Sequence, residues 1–303
     1  MSDEFDRSTV DAALARRLVD SQFPQWRDLE ITPVKLDGWD NHTFRLGREL
    51  SVRLPNGPWY AEQVAKEQRW LPRLAAQVPL PIPAPVARGK PGAGFPFPWS
   101  VYRWLDGEPA LTARIADREG FAADLARFLD ALARADATGG PAPGRHNWFR
   151  GGPLATYAEE AAQAIAALGP AEIPVAAVER VFDDAMATTW DRDPVWVHGD
   201  VAAGNLLVRD GRLAAVIDFG SSGVGDRACD TVIAWTFFSG ASQDRFRSAL
   251  DVDAATWARG RGWGLWKALI SLVARLEEDA SEEAARLRRE IDRILADHAR
   301  ERT

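Results

Sequence analysis

The sequence predicts an α+β fold in two lobes: an antiparallel sheet with one helix before about residue 105, and a mostly helical lobe after it. Three observations carry this. Strand-like runs crowd residues 29–54 and recur at 99–105, and apolar residues fall at helical spacing from about residue 116 onward. Between the two regimes lie the proline-rich stretch 78–98 and the breaker Asp106-Gly107-Glu108-Pro109. A chain of 303 residues can bury a sizeable core, as one large domain or two associated lobes. The lobes are placed at 1–105 and 106–303.

A polar helix is expected near 10–20. The runs LEITPVKL, NHTFRL and ELSVRL then read as a meander, with turns at Asp37-Gly38 and Gly47-Arg48. Residues 59–77 carry helical periodicity through Val64, Trp70, Leu71 and Leu74, and Pro72 should kink or restart that helix. WSVYRWL is the next strand. In the second lobe Phe121, Leu125, Phe128, Leu129 and Leu132 share one helical face, and further helices are expected at 154–168 and 175–190. Asn205 to Val208 and Leu213 to Asp218 flank Asp210-Gly211, a pair suited to the positive φ angles of a type I′ turn. An apolar helix at 230–238 and amphipathic helices to the C-terminus complete the pattern.

Composition removes several function classes. Net charge is −7, whereas nucleic-acid binders concentrate positive charge. Residues 1–105 hold 14 Lys/Arg and 12 Asp/Glu, while 106–303 hold 23 and 32. An acidic second lobe suits a cationic partner, and acidic solvated helix faces account for it equally well. No apolar run is long enough for a bilayer span, and the start MSDEFDRSTV is acidic where a signal peptide is basic, so a cytoplasmic protein is expected. Cys229 is the single cysteine and reads as a small buried hydrophobe in a reducing compartment.

The chemistry is concentrated between residues 195 and 220. His198-Gly199-Asp200 is followed five positions after the aspartate by Asn205, and then, across the hairpin, by Asp218-Phe219-Gly220. With a two-residue turn at 210–211, residue 205 faces 216, and strand alternation makes Asp218 a diagonal neighbour of Asn205, roughly 7–8 Å away. Two oxygen donors are enough for magnesium, which takes one or two protein ligands and completes its octahedron with phosphates and water. Asp200, on the loop feeding the hairpin, is placed to accept the proton of an attacking hydroxyl.

These residues resemble the catalytic and metal-binding pair of protein kinases, in the His-Gly-Asp form used by the aminoglycoside phosphotransferase (antibiotic kinase) family of the protein-kinase-like superfamily. The resemblance implies the two-lobe kinase-like fold, with Asp200 as base, Asn205 and Asp218 as Mg2+ ligands, and ATP or GTP as co-substrate. It also covers Gly225 to Asp230, with Arg227 where the family usually has proline. It implies that Asp230 anchors the catalytic loop and that His198 is a scaffold residue. In the first lobe it implies a phosphate-covering loop over 38–43, including Gly38 and Asn41, without the glycine pattern of protein kinases. Arg53 stands where kinases carry the phosphate-gripping lysine, a departure in a chain with four lysines against thirty-three arginines. Glu67 is its expected ion-pair partner, with Glu62 as the alternative. Arg103, Trp104 and Leu105 belong to the hinge whose backbone meets the nucleobase.

Other motifs fail on context. Gly223 to Ala228 satisfies a dinucleotide pattern but lacks the preceding strand and the βα repeats around it. No Walker A sequence or hydrolase nucleophile elbow occurs, and the four histidines lack zinc spacing. A phosphotransferase acting on an aminoglycoside-type hydroxyl is therefore expected. Kinases for macrolide, choline, homoserine or sugar hydroxyls are the alternatives, as is a nucleotide-binding pseudokinase, for which Arg53 is the hint. The expected partners are a nucleoside triphosphate and a small hydroxylated, cationic acceptor, with neither nucleic acid nor membrane, the protein being a monomer or weak dimer. The run Arg259 to Lys267 either lines the acceptor pocket or needs its glycines for close packing.

Overall fold

The structure is a computed structural model that describes residues 6–34 and 40–302. Contacts divide the chain into two compact units: 1–108 with 214–220, and 109–213 with 221–303. The first unit thus includes a short segment returning from far along the sequence.

In the first unit a five-stranded antiparallel sheet runs in the order β1-β2-β3-β5-β4. Its strands are β1 (Ile31–Pro33), β2 (Asn41–Leu46), β3 (Leu50–Pro55), β4 (Pro85–Gly89) and β5 (Trp99–Arg103). Alternation along β3 and β5 divides their side chains between two helices. Val52, Leu54, Trp99 and Val101 join a core with Leu14, Leu18 and Val19 of α1 (Ala12–Gln22). Arg53, Ser100 and Tyr102, on the opposite face, meet α2 (Pro58–Ala75), whose Gln68 donates to Ser100 Oγ at 3.0 Å.

Two expectations fail here for physical reasons. β4 arises inside the proline-rich stretch, because an edge strand tolerates missing N–H groups and its pairing with β5 shifts register between Pro85 and Ala87. α2 runs on through Pro72 without restarting: the proline falls in the last turn, where one lost hydrogen bond is outweighed by burial of Trp70, Leu71 and Leu74.

The second unit is largely helical. A short pair at its margin, β6 (Glu108–Pro109), precedes α3 (Arg118–Arg134), α4 (Ala158–Glu172) and α5 (Val175–Met186). β7 (Val195–Val197) leads into the His198 loop. β8 (Leu206–Arg209) and β9 (Arg212–Val216) flank Asp210 and Gly211, whose φ angles of 54° and 75° are those of a type I′ turn. β10 (Gly223–Gly225) pairs antiparallel with β7, so the glycines of the rejected dinucleotide pattern form a strand. The helix expected at 230–238 is only one turn, α6 (Ile233–Thr236), and α7 (Ala241–Ala249), α8 (Ala254–Glu277) and α9 (Ser281–Glu301) follow. Among the described residues, no helix is long and apolar enough to cross a membrane.

α8 is the central helix of this unit, packing on α4, α5 and α9 and burying Trp257, Trp263, Leu265 and Leu269. Its glycines serve close packing. A Cβ on Gly260 would lie 1.8 Å from Thr231 Oγ1, and one on Gly262 would lie 2.4 Å from Leu154 Cδ2. Overpacking of this kind costs roughly 1–3 kcal/mol. We therefore expect Gly260→Ala to lower Tm by several degrees in a thermal melt, with Gly204→Ala, where nothing lies within 4 Å of the added carbon, close to neutral.

Candidate active site

The expected site residues fall into two groups, one in each unit. In the first unit Arg53, on the helix-facing side of β3, lies half-buried between two carboxylates. Its Nη1 lies 3.7 Å from Glu67 Oε1 and its Nη2 lies 3.5 Å from Asp218 Oδ1. Burial alone would push the Arg53 guanidinium down, but Glu67 and Asp218, with Tyr102 and Asp40, outweigh it and hold the charge above its ordinary range. The Glu67 carboxylate also accepts the Tyr102 hydroxyl hydrogen. Glu62, the alternative partner, is solvent-exposed.

Asp218 follows β9, which ends at Val216, and has φ of 66°. Asn205 likewise precedes β8, as the last residue of a short turn. The strand alternation used to relate the two side chains therefore stops short of both of them, and a left-handed aspartate breaks the pattern altogether.

Two further residues of α2 reach the Asp218-Phe219-Gly220 segment. Lys66 Nζ donates to the Gly220 carbonyl, and burial pushes this amine down to about 8 despite Glu67, Asp218 and Asp40 nearby. Gln63 donates to Asp40 Oδ2 at 3.3 Å, and a Cβ on Gly220 would lie 2.6 Å from its Oε1. Asn41 is buried at the start of β2, opposite Pro55. Gly38 lies outside the described residues. At the end of β5, the Arg103 N–H donates to Ala84 O (2.9 Å) and the Trp104 N–H to Glu49 O (2.7 Å), while the Arg45 guanidinium covers the Trp104 ring at 4.0 Å. Arg103 and Trp104 have thus spent their backbone donors, which leaves Leu105 of the three to offer an N–H.

In the second unit the His198-Gly199-Asp200 loop hangs from one buried carboxylate. Asp230 accepts the His198 N–H at 2.8 Å on one oxygen and the Gly199 N–H at 2.7 Å on the other. Burial raises the Asp230 carboxyl above its ordinary value, against the pull of His198 and those two amides. Gly199 has φ of 82°, and a Cβ there would lie 2.3 Å from Ser221 O, so no other residue fits. His198 is fully buried, and its Nδ1 accepts the Asp200 N–H at 3.3 Å, a scaffold contact. Arg227, standing where the family usually has proline, bonds Asp130 Oδ1 at 2.7 Å, and Asp226 pairs with Arg259 at 2.6 Å. Two buried ion pairs thus fix the segment that carries Asp230.

The Asp200 side chain is one-third exposed and held on both oxygens. Lys267 Nζ of α8 lies 2.9 Å from Oδ1, and Asn205 Nδ2 lies 3.3 Å from Oδ2. Burial would raise this carboxyl, but Lys267 foremost, then Arg150 and His198, hold it below its ordinary 3.8. Arg150 stacks over Trp263 and Trp266 at 5.2 and 5.0 Å, and Trp266 stacks on Tyr157 at 4.0 Å. With Nδ2 committed to Asp200, the Asn205 amide oxygen is the atom left to ligate a cation. That oxygen and the Asp218 carboxylate are hard donors of the kind magnesium takes. Among the described residues no group of three or more His, Cys, Asp or Glu could hold a metal ion, so a fully protein-made site of that type is absent there.

Sequence reasoning did not find Lys66, Gln63 or Arg150, and it reached Lys267 only as the end of the run Arg259 to Lys267, with no link to Asp200. The available signal was scarcity: in a chain with four lysines against thirty-three arginines, a lysine is a candidate for a place where a compact point charge is wanted, as at Lys66 and Lys267.

Comparison with known proteins gives a concordant result. Residues 30–263 match the family described as the phosphotransferase enzyme family. A 43-residue stretch is 42% identical to an aminoglycoside 3'-phosphotransferase of Escherichia coli, spanning 14% of this chain and about a sixth of that relative. Among solved structures, the GDP complex of aminoglycoside 2'-phosphotransferase-IIIa superposes with a TM-score of 0.72 at 17% identity, covering 95% of this chain and 100% of the other. A macrolide 2'-phosphotransferase type I superposes at 0.59 with 17% identity, covering 93% and 97%. At such identities these likenesses establish the fold, the two-lobe kinase-like one.

Two variants test the local geometry. Asp230→Ala strands two buried N–H groups, and with each worth about 1–3 kcal/mol we expect a clear loss of stability in denaturant unfolding. Arg53→Lys keeps the charge but cannot reach Glu67 and Asp218 together, and we expect the loss of one charge-assisted contact, about 1–3 kcal/mol, to lower Tm in a thermal melt.

Proposed function

The chain belongs to the phosphotransferase enzyme family, and we propose that it moves the γ-phosphoryl group of ATP or GTP to a hydroxyl of a small molecule of aminoglycoside type. The observation that carries this reading is Asp200, an ionised and partly exposed carboxylate held on both oxygens, on a loop pinned by Asp230. In the transfer, the acceptor hydroxyl gives its proton to Asp200 as its oxygen bonds to the γ-phosphorus. The bond from that phosphorus to the β–γ bridging oxygen breaks, and its electron pair leaves with the nucleoside diphosphate.

The first unit is assigned to the nucleotide: Arg53, oriented by Glu67, to the phosphates and the Leu105 backbone to the base, while Asn41, expected in the covering loop, stands buried at the start of β2. Asn205 and Asp218 would hold Mg2+, which when bound neutralises phosphate charge. The second unit is assigned to the acceptor. Its acidic balance and the relatives named for aminoglycosides support a cationic acceptor. One observation favours a neutral acceptor, such as an uncharged sugar, as a second reading: Lys267 and Arg150 beside Asp200 repel ammonium groups close to the reacting oxygen.

The test is nucleotide consumption over aminoglycosides and macrolides, with mass spectrometry for the added phosphate. Turnover of neither class, with nucleotide bound but never consumed, would end the proposal. Asp200→Asn should lower kcat about 100- to 10,000-fold, the usual worth of a general base, while nucleotide affinity persists. Because the Asp200 pKa is depressed, the base stays ionised throughout the neutral range. The acid limb of kcat/KM should therefore lie below the ordinary carboxylate range, and a limb near pH 6 or 7 would show that another group is titrating.

A further inference from the structure

We propose that Lys267 is a positioning residue for the transfer, the group that aims the Asp200 carboxylate at the acceptor hydroxyl; this rests on the phosphotransferase reading above. The geometry is a two-point hold. Lys267 Nζ takes Oδ1 at 2.9 Å and Asn205 Nδ2 takes Oδ2 at 3.3 Å, so rotation of the carboxylate about its bond to Cβ would break one contact or the other. Asn205 also donates to the Asp200 backbone carbonyl at 2.9 Å, which ties the amide to the loop and not only to the side chain.

The other end of the hold is rigid. Lys267 stands on α8 between the buried residues Leu265, Trp266, Ala268 and Leu269, roughly one and a half to two turns beyond the glycines at which that helix meets the Thr231 and Leu154 side chains. Close packing at Gly260 and Gly262 thereby sets where the Lys267 Cα sits, and the flexible stem carries the ammonium out to a half-exposed position, 44% accessible. The two readings of the Arg259 to Lys267 run are therefore parts of one device: its glycines pack, and its lysine reaches the base.

A lysine suits this task better than the arginine that the chain uses nearly everywhere else. The ammonium is a compact charge with three donors, of which one is taken by Asp200, and it leaves the second carboxylate oxygen open to Asn205 and the acceptor. A planar guanidinium would tend to claim both oxygens at once. Placing a cation beside a base also lowers its affinity for the proton. That cost is acceptable where alignment and charge, more than proton abstraction, govern phosphoryl transfer.

The test uses the full chain, with phosphate transfer to kanamycin and, in parallel, slow hydrolysis of the nucleoside triphosphate, in which water replaces the acceptor hydroxyl. Lys267→Met keeps length and removes the charge: kcat should fall roughly 10- to 100-fold, the cost of a misplaced catalytic group, with nucleotide KM unchanged. Lys267→Arg should recover part of the loss. In the Asp200→Asn background, Lys267→Met should cause no further loss, since both act through one carboxylate. Full kcat in Lys267→Met, equal defects in the Met and Arg variants, or additive losses in the double variant would each overturn the proposal. Thermal melts of each variant separate these outcomes from unfolding. A protein that hydrolyses nucleotide but leaves kanamycin unmodified sinks the acceptor assignment alone, and the same comparisons are then read on hydrolysis.

Discussion

One buried carboxylate, Asp230, takes the N–H groups of His198 and Gly199 on its separate oxygens, and the position of Asp200 follows from that hold. A carboxylate kept out of water needs compensation from donors around it. Here the compensation is the His198–Asp200 loop itself, so loop and anchor stabilise each other. The anchor is in turn fixed by the ion pairs Arg227–Asp130 and Arg259–Asp226, which tie residues 226–230 to α3 and α8. A substitution anywhere along this chain of contacts acts on the position of Asp200.

The first unit obeys a different constraint: three groups of like sign crowd one cation. Glu67, Asp218 and Asp40 all act on Arg53, and Lys66 contributes a second positive group from α2. The sheet makes this arrangement possible, because alternation on β3 puts Val52 and Leu54 into the α1 core while Arg53 points the other way. An arginine at this position spans two carboxylates, which a lysine stem ending in a single nitrogen does less well. The replacement of the usual kinase lysine is thus matched by the local charge distribution.

The local geometry of the candidate site was legible in sequence where its parts are short. His198-Gly199-Asp200 with Asn205, and Asp218-Phe219-Gly220, are loops whose chemistry is set within a few residues, and the Asp210-Gly211 turn between them is nearly dictated by its φ angles. The rest depended on long-range contacts. Lys267 is 67 residues from Asp200, and nothing in its own neighbourhood signals a partner so distant. β4 was hidden because prolines argue against a strand, an argument that weakens at a sheet edge. The alternation drawn from Asn205 to Asp218 went astray because strands end where the backbone turns left-handed, and Asp218 is such a place.

The division of the chain bears on how such a protein can be cut or recombined. Residues 214–220 cluster with the first unit although more than a hundred residues of the second precede them in sequence. A fragment ending at residue 108 would therefore carry Arg53 and Glu67 but lack the aspartate that Arg53 also faces, leaving its charge cluster unbalanced. Chimaeras between family members must exchange both segments together to keep that balance. A single crossover would join an arginine from one lineage to a carboxylate shaped by another.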